Sequence, residues 1–310
     1  MSGKKICFVF FSSILLLFSY FVAADAPENG KLIELSGVTL YYEIRGSGTA
    51  TPLFIVNGGP GFDHTYLHIS DVWDAFAKDR PVIFYDQRGN GRSPALTDKQ
   101  TCTLADQISD LDALRSKLGF DKIDLLGHSW GGYLVMAYAA LHPDHISHLM
   151  ICDSAAPKWK DTVFLFKDIF PELVNRQDSV MFAEQMGDAN ALSEDLNVYM
   201  SMLFYTKEHK DQFLAKASTF KYSKEINEKL NADMDRFDLN PELPKFRFPT
   251  LVMTGRFDIN VAPSVAYHIH KAIPDSQFVV FEKSGHLPFF EEKEDFLRVV
   301  QDFLKSPAAK

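Results

Sequence analysis

The apolar positions of this chain fall into short blocks separated by helical patterns. From Val38, "VTLYYEIRG" alternates in polarity and predicts an edge-type strand closed by a turn. Four runs, "PLFIVN", "PVIFYD", "KIDLLGH" and "ISHLMICDS", end at Asn57, Asp86, His128 and Ser154. They are apolar almost throughout, as strands buried on both faces are. "TLVMTG" from Thr250 and "SQFVVFE" from Ser276 add two more strands late in the chain. Between the early runs, Leu104, Ile108, Leu111, Leu114 and Leu118 recur at three- and four-residue steps, and Gly119 closes the helix they predict. A last helix is expected around Glu291 to Leu304. Strands alternating with helices predict an α/β fold, a mostly parallel sheet flanked by helices on both faces.

The rhythm breaks between about Ala155 and Lys245. No convincing strand occurs there. Val163, Phe166, Ile169, Phe170 and Leu173 suggest a Phe-rich helical pattern, and "NPELPKFRFP" reads as a proline-rich return to the sheet. The expected organisation is a core in two parts, 25–153 and 246–310, with a helical cap inserted over 154–245.

The N-terminus has its own pattern. Lys4 and Lys5 precede an apolar run from Ile6 to Ala24 that ends in small residues, which predicts a secretory signal over residues 1–24. A periplasmic or secreted protein without stable membrane insertion follows. An uncleaved anchor is the rival reading, because the run approaches spanning length.

Composition adds boundaries. With 310 residues, 46% hydrophobic and 24% charged, the chain can build a sizeable core. A net charge of −9 with no basic run beyond pairs argues against nucleic acid as a partner. Beyond Cys7 only Cys102 and Cys152 remain, too few for a disulfide framework, and Cys152 lies in an apolar run that suits a buried free thiol. "HPDHISH" holds three histidines without a carboxylate or cysteine framework, so neither a metal nor a cofactor is expected.

The chemistry concentrates at "GHSWG", residues 127–131, a G-x-S-x-G segment between a strand and a helix. A sharp turn there lifts the serine hydroxyl above the sheet, and side chains two residues to either side would strike backbone. Serine needs a base, and the base needs an orienting acid. Asp258 falls just past the strand from Thr250, and His286 just past the strand from Ser276, so both belong at the sheet edge that carries Ser129. His142, His145 and His148 surround a helix end and are expected at the surface, and His268 and His270 look helical. His128 faces the wrong way to serve as the base. It is expected near the glycine loop, with no role assigned. An oxyanion needs two N–H donors: one from Trp130, the other from Gly58 or Gly59 of "NGGPGFDH".

These residues resemble the α/β-hydrolase superfamily and, within it, the proline iminopeptidase-like group. The resemblance rests on "NGGPG" at 57–61, "DQRGNGRS" at 86–93, "GHSWGG" at 127–132, "GRFD" at 255–258 and "SGHLPFFE" at 284–291. It covers Val38 to Ser154 and Pro249 to the C-terminus. It implies Ser129 as nucleophile, Asp258 as orienting acid, His286 as general base, and Gly59 and Trp130 as oxyanion donors. Asp86, Arg88 and Arg92 would then brace their loop by ion pairs. Two departures stand out: Asn57 occupies a position often held by His, and the Trp-Glu pattern that opens the insertion in true proline iminopeptidases is missing. Acidic cap residues of those enzymes hold the substrate's free amino group. Candidates for binding substrate here are Gly58 and the cap acids Glu184, Asp188, Glu194 and Asp195, with solvated helix faces as the plainer reading of the acids. The expected activity is release of N-terminal residues, proline preferred, from small peptides. Hydrolysis of small esters or lactones is the alternative, and a binding protein on an inactive scaffold is disfavoured by the complete Ser, Asp and His set.

Overall fold

The computed structural model describes residues 30–185, 190–216 and 219–308. The expected signal segment, residues 1–24, lies outside them. Among the described residues no helix is long and apolar enough to cross a membrane.

Eight strands form one sheet: β1 (Lys31–Leu35), β2 (Val38–Arg45), β3 (Leu53–Val56), β4 (Val82–Asp86), β5 (Ile123–His128), β6 (Ile146–Cys152), β7 (Thr250–Gly255) and β8 (Gln277–Phe281). Their order is β1-β2-β4-β3-β5-β6-β7-β8. β1, β2 and β4 pair antiparallel, and every pair from β4 through β8 is parallel. The strand from Val38 is therefore not the edge. β1 lies outside it, joined by a hairpin at Ser36-Gly37, where Gly37 takes φ 87°. Only three of the five β1 residues are apolar and most of the strand is exposed, which leaves little signal in the sequence.

Side chains of the buried strands alternate between two cores. Phe54, Val56, Ile83, Tyr85 and Leu125 face one, and Leu53, Ile55, Val82, Phe84 and Leu126 face the other. Each fully buried Leu, Ile or Phe contributes roughly 1.5–3 kcal/mol, and burial on both faces explains why the sequence runs are continuous rather than alternating. The helix Leu104–Lys117 forms as its periodicity requires, with a capping box between Thr103 and Asp106 and Gly119 at φ 82° beyond its end. Cys102 and Cys152 are both buried free thiols.

Between β6 and β7 the described residues hold helices and no named strand. The stripe from Val163 to Leu173 does not make one amphipathic helix. A four-residue helix, Phe166–Ile169, ends before Pro171, and a new helix, Pro171–Gln185, begins there. Proline suits the first turn of a helix and cannot continue one, so the chain breaks, and Val163, Phe164, Ile169 and Phe170 stay exposed.

In the parallel region, the register pairs Val56 with Gly127, His128 with Cys152, Cys152 with Met253, and Gly255 with Phe281. The carboxyl ends of β3, β5, β6, β7 and β8 thus share one edge, under the inserted helices. Ligand sites of open α/β sheets form at such an edge.

Candidate active site

Ser129 sits between the end of β5 and the helix Trp130–Leu141 with φ 58° and ψ −124°. For a residue with a Cβ this backbone costs on the order of 1–3 kcal/mol, and the packed strand and helix on either side hold it. The neighbouring glycines are required. A Cβ on Gly131 would run into the carbonyl oxygen of Val56, and one on Gly127 into that of Gly131. The turn can therefore press β3 and the helix together only with hydrogens at those positions.

Asp258 and His286 meet where the sequence places them. Nδ1 of His286 lies 2.8 Å from Oδ2 of Asp258, and both side chains are buried. Asp258 Oδ1 accepts the backbone N–H groups of Asn260 and Val261 at 2.9 Å each, which fixes the carboxylate. A carboxylate only accepts, so the ring proton sits on Nδ1 and Nε2 keeps its lone pair. Asn260 Nδ2 faces that Nε2 at 2.9 Å. An amide can turn about its axis, so Asn260 can donate to the neutral ring or, reversed, accept from the protonated one. Behind Asp258 stands Asp153, a non-glycine residue at φ 47°. Burial, then the charge of Asp258, raises its pKa well above the usual carboxyl range. Both effects favour its neutral form, and Asp153 Oδ1 accepts the backbone N–H of Gly255 at 2.8 Å.

Gly58 packs against the serine, and a Cβ there would lie 2.7 Å from that of Ser129. Its N–H donates to the Tyr66 hydroxyl at 2.6 Å. That hydroxyl lies 2.7 Å from Nδ1 of His128, whose Nε2 lies 2.7 Å from the carbonyl oxygen of His286. A carbonyl only accepts and an amide N–H only donates, so one polarity fits. Gly58 donates to Tyr66, Tyr66 to His128 Nδ1, and His128 Nε2–H to His286. Burial, then His286, pushes the His128 pKa well below its ordinary value, which keeps the ring neutral as this chain of bonds requires. His128 thus ties the glycine turn to the backbone of His286.

Two cavities open on Ser129. A narrow one of about 40 Å³ is lined by Phe62, Met200, Leu203, Phe213, Leu287 and His286 among others. A larger one of about 260 Å³ is lined by Ser129, Trp130, Gln177, Asp195, Asn227, Asn231 and Asn260 among others. Of the cap acids, Asp195 reaches this space. Glu194 does not: it is exposed and bonded to Arg176 at 2.7 Å. Their neighbouring positions on the helix Ala191–Ser201 point them roughly 100° apart. Glu184 lies on the helix Pro171–Gln185, and Asp188 lies outside the described residues.

His148 is not at the surface. It is buried on β6, 2.7 Å from Asp124 Oδ1. Arg88 does brace its loop, forking onto Asp110 at 2.6 Å through two nitrogens. Asp86 accepts from the backbone N–H groups of His64 and Arg92 at 2.9 and 2.8 Å.

Glu291 supports the turn before His286 by accepting the N–H of Gly285 at 2.7 Å and that of Tyr205 at 2.8 Å. Burial outweighs these donors and raises its pKa to about 7. The folded protein keeps this proton to higher pH than the unfolded chain. Stability from this group is full below about pH 4.5 and is lost as pH rises through about 7, by up to about 3 kcal/mol. Thermal melts at about pH 5 and pH 8 should therefore show a smaller drop in Tm for Glu291→Gln than for the unaltered protein. Equal drops would mean that Glu291 does not titrate there.

Sheet order, strained turn and edge-gathered side chains define a hydrolase of the α/β class. The chain belongs to the alpha/beta hydrolase fold family, whose model matches residues 51–293. More narrowly, it is prolyl aminopeptidase-like: it is 31% identical to a proline iminopeptidase of Saccharolobus solfataricus over 86% of this chain and 89% of that one. It is 30% identical to a proline iminopeptidase of Heyndrickxia coagulans, over 84% and 92%. Among solved structures, a thermophilic esterase from Thermogutta terrifontis superposes with a TM-score of 0.67 at 25% identity, covering 89% of this chain and 98% of that one. An alpha/beta fold family hydrolase from Bacillus anthracis superposes at 0.71 with 22% identity, over 88% and 98%, and supports the fold.

Proposed function

We propose that the protein is a serine aminopeptidase that releases N-terminal proline, or another small N-terminal residue, from short peptides through an acyl-enzyme. Ser129 Oγ attacks the scissile carbonyl while His286 Nε2 takes the hydroxyl proton. Asp258 holds the ring in the tautomer this step needs. The tetrahedral oxyanion is bonded by the N–H groups of Trp130 and Gly59, since the Gly58 N–H is engaged by Tyr66. His286 returns the proton to the leaving amine, and water, activated by the same ring, clears the acyl group.

The observation that carries the peptidase reading is Asp195 in the cavity that opens on Ser129. A carboxylate there can pair with a substrate ammonium, and a bond to a charged group is worth about 1.5–3 kcal/mol. A second reading, hydrolysis of small esters, is favoured by the narrow apolar cavity, which offers acyl cover without a carboxylate. One comparison separates them. Asp195→Asn should raise KM for proline naphthylamide by about 10–100-fold and leave kcat/KM for p-nitrophenyl butyrate nearly unchanged. Ester cleavage without amide cleavage by the unaltered protein would reject the peptidase reading. Equal KM values in the two forms would remove Asp195 from substrate binding.

A further inference from the structure

A second group of chemistry-bearing side chains lies away from the serine. Glu43 is on β2, and His64 and His68 are on the 3-10 helix His64–Ile69 that follows the glycine turn. The two imidazole rings are 5.0 Å apart, edge to face. Nε2 of His64 lies 3.3 Å from Glu43 Oε1, and Nε2 of His68 lies 3.7 Å from Glu43 Oε2. Both Nε2 atoms are buried and face the Glu43 carboxylate. The His64 side chain is fully buried, while His68 and Glu43 retain some exposure, which leaves an entry path from solvent.

We propose that Glu43, His64 and His68 form a zinc-binding site that clips strand β2 to the helix behind the glycine turn. The donor atoms converge: one from each residue lies within 4.8 Å of the others, and the two Nε2 atoms stand 3.3 and 3.7 Å from the two Glu43 oxygens. Zinc bonds nitrogen and oxygen at about 2.0–2.2 Å in a tetrahedron, so its ligand atoms stand about 3.4 Å apart, and a bound ion would draw these groups slightly together. Two imidazoles and a carboxylate are a zinc donor set that leaves the fourth position to water. The outer support is also present. Nδ1 of His64 is held by Asp86 Oδ1 at 2.6 Å, so a carboxylate fixes the ring and leaves Nε2 free to coordinate. The rings of Tyr41 and Phe84 stack with His64 at centroid distances of 6.0 and 5.9 Å and give it apolar neighbours.

Charge balance agrees. Two carboxylates, Asp86 at Nδ1 and Glu43 at Nε2, face His64 and offer negative charge to a cation. Zinc binds deprotonated imidazole nitrogens, so binding would release any proton they carry. Arg45 and Arg92 lie over the rings of Phe84 and Tyr41 and oppose additional positive charge, so affinity has to come from the three ligands and Asp86.

The test uses metal-stripped full-length protein with zinc or cobalt(II) chloride. Equilibrium dialysis with metal analysis gives stoichiometry, and the cobalt ligand-field spectrum reports its geometry. One tetrahedral ion per chain is expected, with Tm raised by zinc. His68→Ala and Glu43→Gln should each weaken binding by at least the 10–100-fold typical of lost outer partners. His145→Ala should change nothing. It disables a second cluster, Asp112, His142 and His145, whose ligand atoms also converge. No bound ion at protein-equivalent metal concentration overturns the proposal. So does binding that survives both substitutions, or binding lost with His145. If either variant fails to fold, the stoichiometry of the unaltered protein and of His145→Ala decides.

Discussion

Ser129→Ala is expected to lower kcat for proline naphthylamide by on the order of 10⁴-fold or more, with KM and folding nearly unchanged. The hydroxyl is the bond-forming atom of the proposed reaction, and neither neighbour can replace it. His128 is locked between Tyr66 and the His286 carbonyl, and Asn260 has no nucleophile to offer. What survives would come from substrate positioning and the two backbone donors. Ser129→Gly adds a check from folding. It removes the same hydroxyl but also the Cβ that makes φ 58° costly, so it should melt at a higher temperature than Ser129→Ala. An active Ser129→Ala protein would sink the acyl-enzyme mechanism. A Gly variant that melts no higher would show that the turn stores no strain.

Asp258→Asn is expected to cost about 10⁴-fold in kcat with little change in KM. An asparagine can present its amide N–H to Nδ1, which turns the ring to the tautomer with its proton on Nε2. The lone pair that must accept the serine proton is then lost. The nearby Asp153 gives this expectation a specific way to fail, because its carboxylate, that of Asp258 and the His286 nitrogen converge within 4.8 Å of one another. A loss below about tenfold would mean that Asp153 orients the ring instead, and Asp153→Asn combined with Asp258→Asn would then show the missing loss. A shift of the pH–rate profile in Asp258→Asn, followed on the ester to avoid the leaving amine, reports the same change in the base.

Much of this site was legible because its constraints are local and steric. The elbow needs glycines where backbone meets backbone, and Gly127 and Gly131 announce it within five residues. Asp258 and His286 were legible because each follows a continuous apolar run, and parallel strands deliver their carboxyl ends to one edge. What the sequence hid depends on distant pairings. Arg88 bears no spacing to Asp110 that marks them as partners, and a lone histidine at 148 looks like its exposed neighbours until β6 is known to be buried between β5 and β7. Tyr66, His128 and Asn260 were missed as a connected set because only the folded chain fixes which atom donates and which accepts. Among the cap acids, Glu194 and Asp195 are adjacent and chemically alike. Only helix phase separates the one bonded to Arg176 from the one in the cavity. Pro171 divides the stripe from Val163 to Leu173, because proline opens a helix but cannot continue one.

The cap leaves the sheet after β6 and returns at β7, and those strands are hydrogen-bonded neighbours, with Cys152 beside Met253. Whatever lies between them starts and finishes at one seam. Doubling the length of such an excursion adds only about 0.6 kcal/mol of closure entropy, and no core strand has to move. The cap is in that sense an exchangeable fitting. A longer, shorter or different segment there would change which molecules reach Ser129 and leave the pairing of β6 with β7 in place.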